Sequence, residues 1–268
     1  MANSDATRED IASEQAFFDK FYTDARVQDE ASGWTIPPVW ASKALNPTSR
    51  PLDNWEYSFY LLGDLQGKRV LDVGCGGGWI SRLLALRGAS VAAFDISIEG
   101  CRLTRDKLAT AGFSARSIAV MDAHDLGFKD ARFDALFMAG VLHHLNIAKV
   151  ATEAHRVLKP GGRIVLYEPL QYGPIMWAIR QVWLRLNGLK EYGTTEHEEA
   201  LKEQDLLPFS EIFAKTYVRK FNFIAKTNRL RNRFGALAVS LRAIDYVILS
   251  LFPFLQRYCT CIVCRFEK

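Results

Sequence analysis

Residues 70–78 read VLDVGCGGG, and WISRLLALRG (79–88) follows directly. The first residues are typical of a buried strand, the glycines of a tight turn, and the leucines recur at helical spacing. A strand, a glycine-rich turn and a helix together form the opening unit of an α/β sheet of the nucleotide-binding type. Glycines suit the turn because backbone amides can then approach a ligand that a Cβ atom would push away. The stretch therefore predicts an α/β fold with a ligand at its first turn.

The spacing of these glycines argues against a dinucleotide site. Such a site needs the pattern G-x-G-x-x-G, whereas Gly74, Gly76 and Gly78 alternate and Trp79 stands at the third dinucleotide position. Asp72 precedes the first glycine by two positions. This pattern resembles motif I of the class I S-adenosylmethionine (SAM) methyltransferases, whose loop holds an adenosyl and amino-acid moiety without a pyrophosphate. For the loop alone, an ordinary structural turn remains the alternative.

Four further blocks match that family in order and spacing: VAAFDIS (91–97), SIAVMDAHDLGF (117–128), FDALFMAGVLHHL (133–145) and RVLKPGGRIVLYEP (156–169). The resemblance covers about residues 65–170 and is nearest to the broad type-11 group, which includes quinone-ring C-methyltransferases. It implies an α/β fold with a seven-stranded, mostly parallel sheet between helices. Residues 213–223 and 259–268 would add an antiparallel C-terminal strand hairpin.

The predicted cofactor is SAM. Asp95 ends the second strand, where a carboxylate can accept hydrogen bonds from both ribose hydroxyls. The resemblance implies that Asp122 meets the adenine amino group and that Ala123 offers backbone contacts to the ring. The full predicted cofactor set is Asp72, Gly74, Cys75, Gly76, Gly78, Asp95, Ile96, Asp122, Ala123 and Ala139.

Histidines are the candidate bases, since methylation of a hydroxyl gains from a group that removes its proton. His143 and His144 follow the fourth strand, at the sheet edge where ligands bind in open α/β folds. In the resembling family, the position of His144 commonly carries a histidine next to the methyl group. We predict that His144 and His143 are catalytic, with a structural or solvated role as the alternative. His124, in the adenine-side turn, and His155, in a helix, are poorer candidates.

Three residues are predicted to contact the methyl acceptor. Glu168 ends the fifth strand and could orient a hydroxyl or amine, although a solvated strand end is an equal alternative. Tyr172 and His197 lie in residues 170–210, where the family builds a lid over the acceptor. No carboxylate cluster of the metal-dependent methyltransferases is evident, so we predict no metal.

The chain has 268 residues and a formal net charge of +4, which fits one α/β domain with elaborations. We predict an N-terminal helical cap (1–60), including an amphipathic helix over 4–24 and a proline-broken loop over 33–51. The SAM-binding core, the lid and the C-terminal strands (213–268) follow it. The first residues lack the apolar core of a signal peptide, so we expect a cytoplasmic protein. The five cysteines are scattered or crowded near the end, and buried free thiols are the expected reading.

One stretch before the last strand is unusual. Residues 214–244 contain eight basic residues and no acid, and residues 234–255 carry only Arg242 and Asp245 as charges. Two readings stay open for the apolar helix that this predicts. In the first, the helix is buried against the sheet or against a second subunit. In the second, it lies on a membrane surface, at the inner face, with the basic run facing anionic headgroups.

The expected function is SAM-dependent methylation of a small or lipid-like molecule, with O-methylation favoured over N- or C-methylation. A nucleic-acid methyltransferase is one alternative, but AGVLHHL (139–145) offers no base-flipping loop, so we expect no nucleic-acid partner. A SAM-binding subunit without catalysis is the second alternative. The sequence leaves open both the acceptor and the oligomeric state.

Overall fold

The computed structural model describes residues 8–31, 34–171, 173, 177–178, 181–182, 185, 201–224 and 235–268. Seven strands form one sheet: β1 (Arg69–Val73), β2 (Ser90–Asp95), β3 (Ile118–Val120), β4 (Phe133–Ala139), β5 (Leu158–Pro169), β6 (Lys215–Phe221) and β7 (Cys261–Glu267). Their order is β3-β2-β1-β4-β5-β7-β6. The first five strands are parallel, and β7 is antiparallel to both of its neighbours. The predicted fold class is confirmed.

The helices are α1 (Arg8–Ala31), α2 (Pro38–Leu45), α3 (Asn54–Leu62), α4 (Trp79–Leu86), α5 (Ile98–Thr110), α6 (Ile147–Val157), α7 (Leu207–Ile212) and α8 (Gly235–Leu251). Short 3-10 turns cover Leu142–His144, Glu203–Leu206 and Pro253–Tyr258. Strand residues alternate between two apolar layers because neighbouring side chains of a strand point to opposite faces. Leu71 packs with Val150 and Phe209 of α6 and α7, and Val70 packs with Phe59 and Leu84 of α3 and α4.

The loop predicted over residues 33–51 is wrong in part, because α2 occupies its centre. Pro38 stands at the first position of this helix. Proline is favoured there, since its fixed φ suits a helix start and its missing N–H would be unsatisfied anyway. The sequence analysis interprets these prolines as helix breakers, whereas Pro38 begins a helix. Asp53 then caps α3 by accepting hydrogen bonds from the backbone N–H groups of Trp55 and Glu56.

The C-terminal cysteines occupy the faces expected of a strand. Cys261 belongs to one apolar layer and Cys264 to the other, and both are buried. Burial raises the pKa of Cys259 and Cys261 to about 12, so these thiols stay protonated and unreactive at neutral pH.

The apolar helix between β6 and β7 is not enclosed by the rest of the described structure. Leu249 is buried, but Val247 and Leu251 are 52% and 67% exposed. Among the residues that the structure covers, no helix is both long and apolar enough to pass through a bilayer.

Candidate active site

A cavity opens at the carboxyl ends of β1, β2 and β4. The chain runs from β1 outward to β2 and β3, then returns to place β4 on the other side of β1. Ligands of open α/β sheets bind at such a reversal of strand order. Seven predicted site residues line the cavity together: Gly74, Asp95, Ile96, Asp122, Ala123, Ala139 and His144.

Asp95 holds the glycine loop in place. One of its carboxylate oxygens accepts a hydrogen bond from the backbone N–H of Gly76 at 2.8 Å, and the other accepts from Ser97 N–H at 2.9 Å. Burial raises the pKa of Asp95, and these backbone hydrogen bonds oppose that shift by stabilising the charged form. The loop therefore presents a fixed carboxylate at the end of β2.

Asp72 does not line the cavity, contrary to its predicted role as a direct contact. It is fully buried beneath the glycine loop, where its Oδ2 accepts a hydrogen bond from the Ser81 hydroxyl at 2.6 Å. Its other oxygen has no hydrogen-bond partner, and burial raises the pKa of Asp72 to about 7. The acid therefore lies behind the loop and supports the start of α4 through Ser81.

Cys75 and Gly78 also support the loop from behind. The Cys75 N–H donates to the carbonyl of Phe94 on β2 at 2.9 Å, and Cys75 itself is buried. A Cβ atom at Gly78 would lie 2.6 Å from the Cα of Thr104, so glycine lets α4 and α5 pack closely. These two residues were predicted to contact the cofactor, and neither lines the cavity.

Side chains from two other segments lie directly beside the first two glycines of the loop. At Gly74, where φ is +68°, a Cβ atom would lie 2.4 Å from a methyl of Val141. At Gly76, a Cβ atom would lie 2.3 Å from the hydroxyl of Tyr22. The loop after β4 and helix α1 therefore close on the glycine loop from two sides.

Helix α1 forms a wall of the cavity. The sequence analysis predicts this helix only as part of an N-terminal cap. Glu14, Phe18 and Tyr22 line the cavity with one-turn spacing. Burial, and then the nearby Asp95, raise the pKa of Tyr22 strongly, so its hydroxyl stays protonated. The recurrence of these residues every four positions was the available signal, but helical spacing shows that a face is buried without showing what it covers.

Polar contacts hold α1 on α5. Asp19 accepts hydrogen bonds from the Ser97 hydroxyl at 2.6 Å and from the Glu99 N–H at 3.1 Å. Near the other end of α1, Asp29 pairs with the buried Lys107 at 2.5 Å. These contacts fix α1 at two points beside the cavity.

Asp122 reaches the cavity with help from His124. The Asp122 carboxylate accepts hydrogen bonds from the N–H and the Nδ1 of His124, at 2.9 and 2.7 Å, and the side-chain bond lowers the pKa of Asp122. His124 Nε2 accepts from the N–H of Asn146 at 2.8 Å. His124 therefore bridges two loops and has a structural role, while His155 packs edge-on against Phe213.

Glu168 does not face the acceptor side of the cavity, which corrects its predicted role. Its side chain is fully buried, and one oxygen accepts hydrogen bonds from the N–H groups of Val141 and Leu142, both at 2.9 Å. The other oxygen is 2.7 Å from His143 Nδ1. The carboxylate therefore fixes the turn after β4 and orients the His143 ring with Nδ1 as the donor.

Of the two predicted bases, His144 lines the cavity and His143 stands behind it. Their ring centroids are 4.2 Å apart. His144 Nδ1 lies 3.0 Å from a carboxylate oxygen of Glu14, and its ring meets Phe18 edge-on. Helix α1 thus contacts the candidate base directly. Tyr172 and His197 lie outside the residues that the structure describes, so their predicted acceptor roles stay predictions.

A metal site is not evident in the covered part of the chain. Across the described ranges, no group of three or more His, Cys, Asp or Glu side chains is placed to hold an ion.

The central part of the chain is similar to known proteins. Residues 71–166 match the family described as Methyltransferase domain. A ubiquinone biosynthesis O-methyltransferase from Idiomarina loihiensis is 31% identical over 154 residues, which are 56% of this chain and 62% of that protein. A demethylmenaquinone methyltransferase from Tropheryma whipplei is 38% identical over 109 residues, 40% of this chain and 44% of that protein. The chain thus spans about half the length of such relatives.

Solved structures share the fold at low sequence identity. Phosphoethanolamine N-methyltransferase 2 from Haemonchus contortus, in complex with S-adenosyl-L-methionine, superimposes with a TM-score of 0.53 at 19% identity, covering 86% of this chain and 56% of that one. A SAM-dependent methyltransferase from Archaeoglobus fulgidus gives a TM-score of 0.54 at 14% identity, covering 80% and 92%. At such identities the likeness shows the architecture alone.

Proposed function

Since residues 71–166 match the Methyltransferase domain family, we propose that this protein is an enzyme that transfers the methyl group of SAM to an oxygen atom of a small, lipid-like acceptor. The observation that carries the proposal is that Asp95, Asp122 and His144 line one cavity together at the carboxyl ends of the strands. Relatives named for ubiquinone biosynthesis O-methylation support a quinone precursor with a phenolic hydroxyl as the acceptor.

The site fits SAM by its charge and its shape. Asp72 and Asp95 are buried acids with raised pKa values, and Asp72 has an oxygen without a hydrogen-bond partner. A cationic ligand relieves the cost of burying two carboxylates near each other. SAM supplies a methyl group already activated by its sulfonium. Asp95 would accept from the ribose hydroxyls, and Asp122 would meet the adenine.

The histidines are placed to handle the proton of the acceptor. His144 faces the cavity, so its ring can take a proton from a hydroxyl bound there. With Nδ1 of His143 donating to Glu168, Nε2 is the basic nitrogen of that ring. Phe18 and Tyr22 of α1 cover the cavity and exclude water from it.

The acceptor class also bears on where the protein works. A lipid-like acceptor is reached most directly at a bilayer surface, so the proposal includes a cytoplasmic protein in peripheral contact with the inner face of a membrane. No nucleic-acid partner is part of it.

Calorimetry with SAM and S-adenosylhomocysteine tests the binding half of the proposal. Asp95→Ala should weaken binding by about 2–4 kcal/mol, because it removes charge-assisted hydrogen bonds. Absence of SAM binding in the unmodified protein would overturn the proposal.

Transfer of radiolabelled methyl groups to phenolic quinone precursors, or to a lysate of the producing cell, tests the catalytic half. Product is expected in the lysate. Tight SAM binding without any labelled product would instead favour the alternative of a non-catalytic SAM-binding subunit.

A further inference from the structure

Helix α8 presents its charged side chains to the protein and its apolar side chains outward. Arg242 pairs with the buried Asp53 at 2.8 Å, and Asp53 also pairs with Lys43. Asp245 is 5% exposed and accepts hydrogen bonds from the N–H groups of Phe223 and Ile224, at 3.1 and 2.8 Å. The helix is therefore anchored largely by its polar residues.

The opposite face of α8 is apolar and exposed. Ile244, Val247 and Leu251 are 45%, 52% and 67% exposed, and their spacing places them on one stripe. Phe252 and Phe254 continue the apolar surface into the following turn, at 49% and 61% exposure. A surface helix normally turns its apolar stripe to the core and its charges to solvent. An exposed apolar surface of this kind marks a site of interaction with another protein, a membrane or a ligand.

The sequence beside this face is strongly basic. Residues 226–233 contain Lys226, Arg229, Arg231 and Arg233, and residues 214–244 contain no acid. Because the whole chain carries a net charge of only +4, the rest of the chain has an excess of acids. Arg257 is exposed beyond the other end of the helix. Positive charge is thus concentrated along the sequence that flanks the apolar face.

We propose that the outward face of α8 and the turn after it, from Ile244 to Phe254, binds the surface of a membrane that contains anionic lipids. Apolar side chains would enter the boundary between headgroups and acyl chains, and the positive charge of the neighbouring sequence would attract the lipid phosphates. Charge argues against a second copy of the chain as the occupant. A second copy would carry the same basic sequence next to its α8, whereas an anionic surface carries the opposite charge.

This inference rests on the proposed function, because it names the membrane surface as the place where the enzyme binds its lipid-like acceptor. Vesicle binding requires neither cofactor nor methyl transfer, so the two can fail separately. A protein that binds vesicles but transfers no methyl group would refute the proposed function alone. A protein that methylates a soluble acceptor but ignores vesicles would refute this inference alone.

Co-sedimentation with vesicles of phosphatidylcholine alone, or of phosphatidylcholine with phosphatidylglycerol, tests the inference at low and high salt. Binding is expected only to the phosphatidylglycerol vesicles, and it should weaken as salt rises. The double variant Leu251→Ser with Phe254→Ser should bind roughly tenfold more weakly or worse, because each apolar side chain contributes through burial. Arg229→Gln with Arg231→Gln should weaken binding about thirtyfold, from the loss of two charges.

Leu86→Ser is the matched control, since Leu86 is an apolar residue on α4 that is 45% exposed. It should leave vesicle binding unchanged. All the substituted positions outside the basic segment are exposed, so thermal melting should confirm that the variants remain folded. The inference is overturned if the unmodified protein binds no vesicle, or if the double serine variant binds as tightly as Leu86→Ser. It is also overturned if sedimentation velocity shows a dimer that the double serine variant converts to a monomer.

Discussion

Replacing Glu168 by glutamine should separate the orientation of His143 from the stability of the fold. The carboxylate accepts from two backbone N–H groups, those of Val141 and Leu142, and from His143 Nδ1. In Glu168→Gln the amide oxygen is expected to stay on the two backbone donors, because the reverse orientation would leave both without an acceptor. The amide NH₂ then faces His143 and can only donate.

The magnitudes follow from those contacts. With a donor opposite Nδ1, the neutral His143 ring must carry its proton on Nε2, so it can no longer accept a proton there. Loss of a general base lowers turnover by about 10²–10⁴-fold. Stability should change little in Glu168→Gln. Glu168→Ala should cost about 2–6 kcal/mol, because two buried N–H groups lose their acceptor at about 1–3 kcal/mol each.

Three measurements check this prediction. Nitrogen NMR of the His143 ring should show the tautomer change in Glu168→Gln, and the pH profile of kcat should lose its acidic limb, the fall in rate at low pH that reports a general base. Chemical denaturation should show that Glu168→Gln is nearly as stable as the unmodified protein and that Glu168→Ala is not. SAM affinity serves as the control and should not change. Full turnover in a folded Glu168→Gln with an altered tautomer would show that His143 does not take the acceptor's proton, and would leave His144, which lines the cavity, as the candidate base.

Other predictions concern single residues around the cavity. His144→Ala should lower turnover more than SAM affinity, which paired kinetic and calorimetric measurements can show; unchanged turnover would mean that positioning alone suffices. The pKa of Asp72 is raised to about 7 by burial, so its contribution to stability is present below about pH 4 and is lost as the pH rises through 7. Asp72→Asn should therefore melt higher than the unmodified protein at pH 8 but not at pH 4, and equal pH dependence of the two melting curves would contradict this. Tyr22→Ala should speed SAM association in stopped-flow experiments, because the Tyr22 hydroxyl lies against Gly76; an unchanged rate would show that α1 does not limit entry.

The sequence was sufficient for the sheet and for much of the cofactor side of the site. Buried parallel strands are short apolar runs, and the residue that ends each run must lie at the ligand-binding edge. Asp95 was located by its place at a strand end, and Asp122 by the resemblance of its block to the methyltransferase family; both line the cavity. The antiparallel hairpin of β6 and β7 was expected from the fold that the resemblance implies.

Tertiary structure decided which face each polar residue presents. Asp72 and Glu168 are both acids at or near strand ends, yet both are fully buried and support loops from behind. Helix α1 meets the cavity with Phe18 and Tyr22, far along the chain from the glycine loop that they cover. Helix α8 turns its charges inward because Asp53, distant in sequence, pairs with Arg242. A one-dimensional pattern gives the period of a helix or strand and so the residues that share a face. Which face is buried depends on contacts with segments that are distant in sequence and meet only in the folded chain. Such contacts bring Glu168 to His143 and α1 to the cavity.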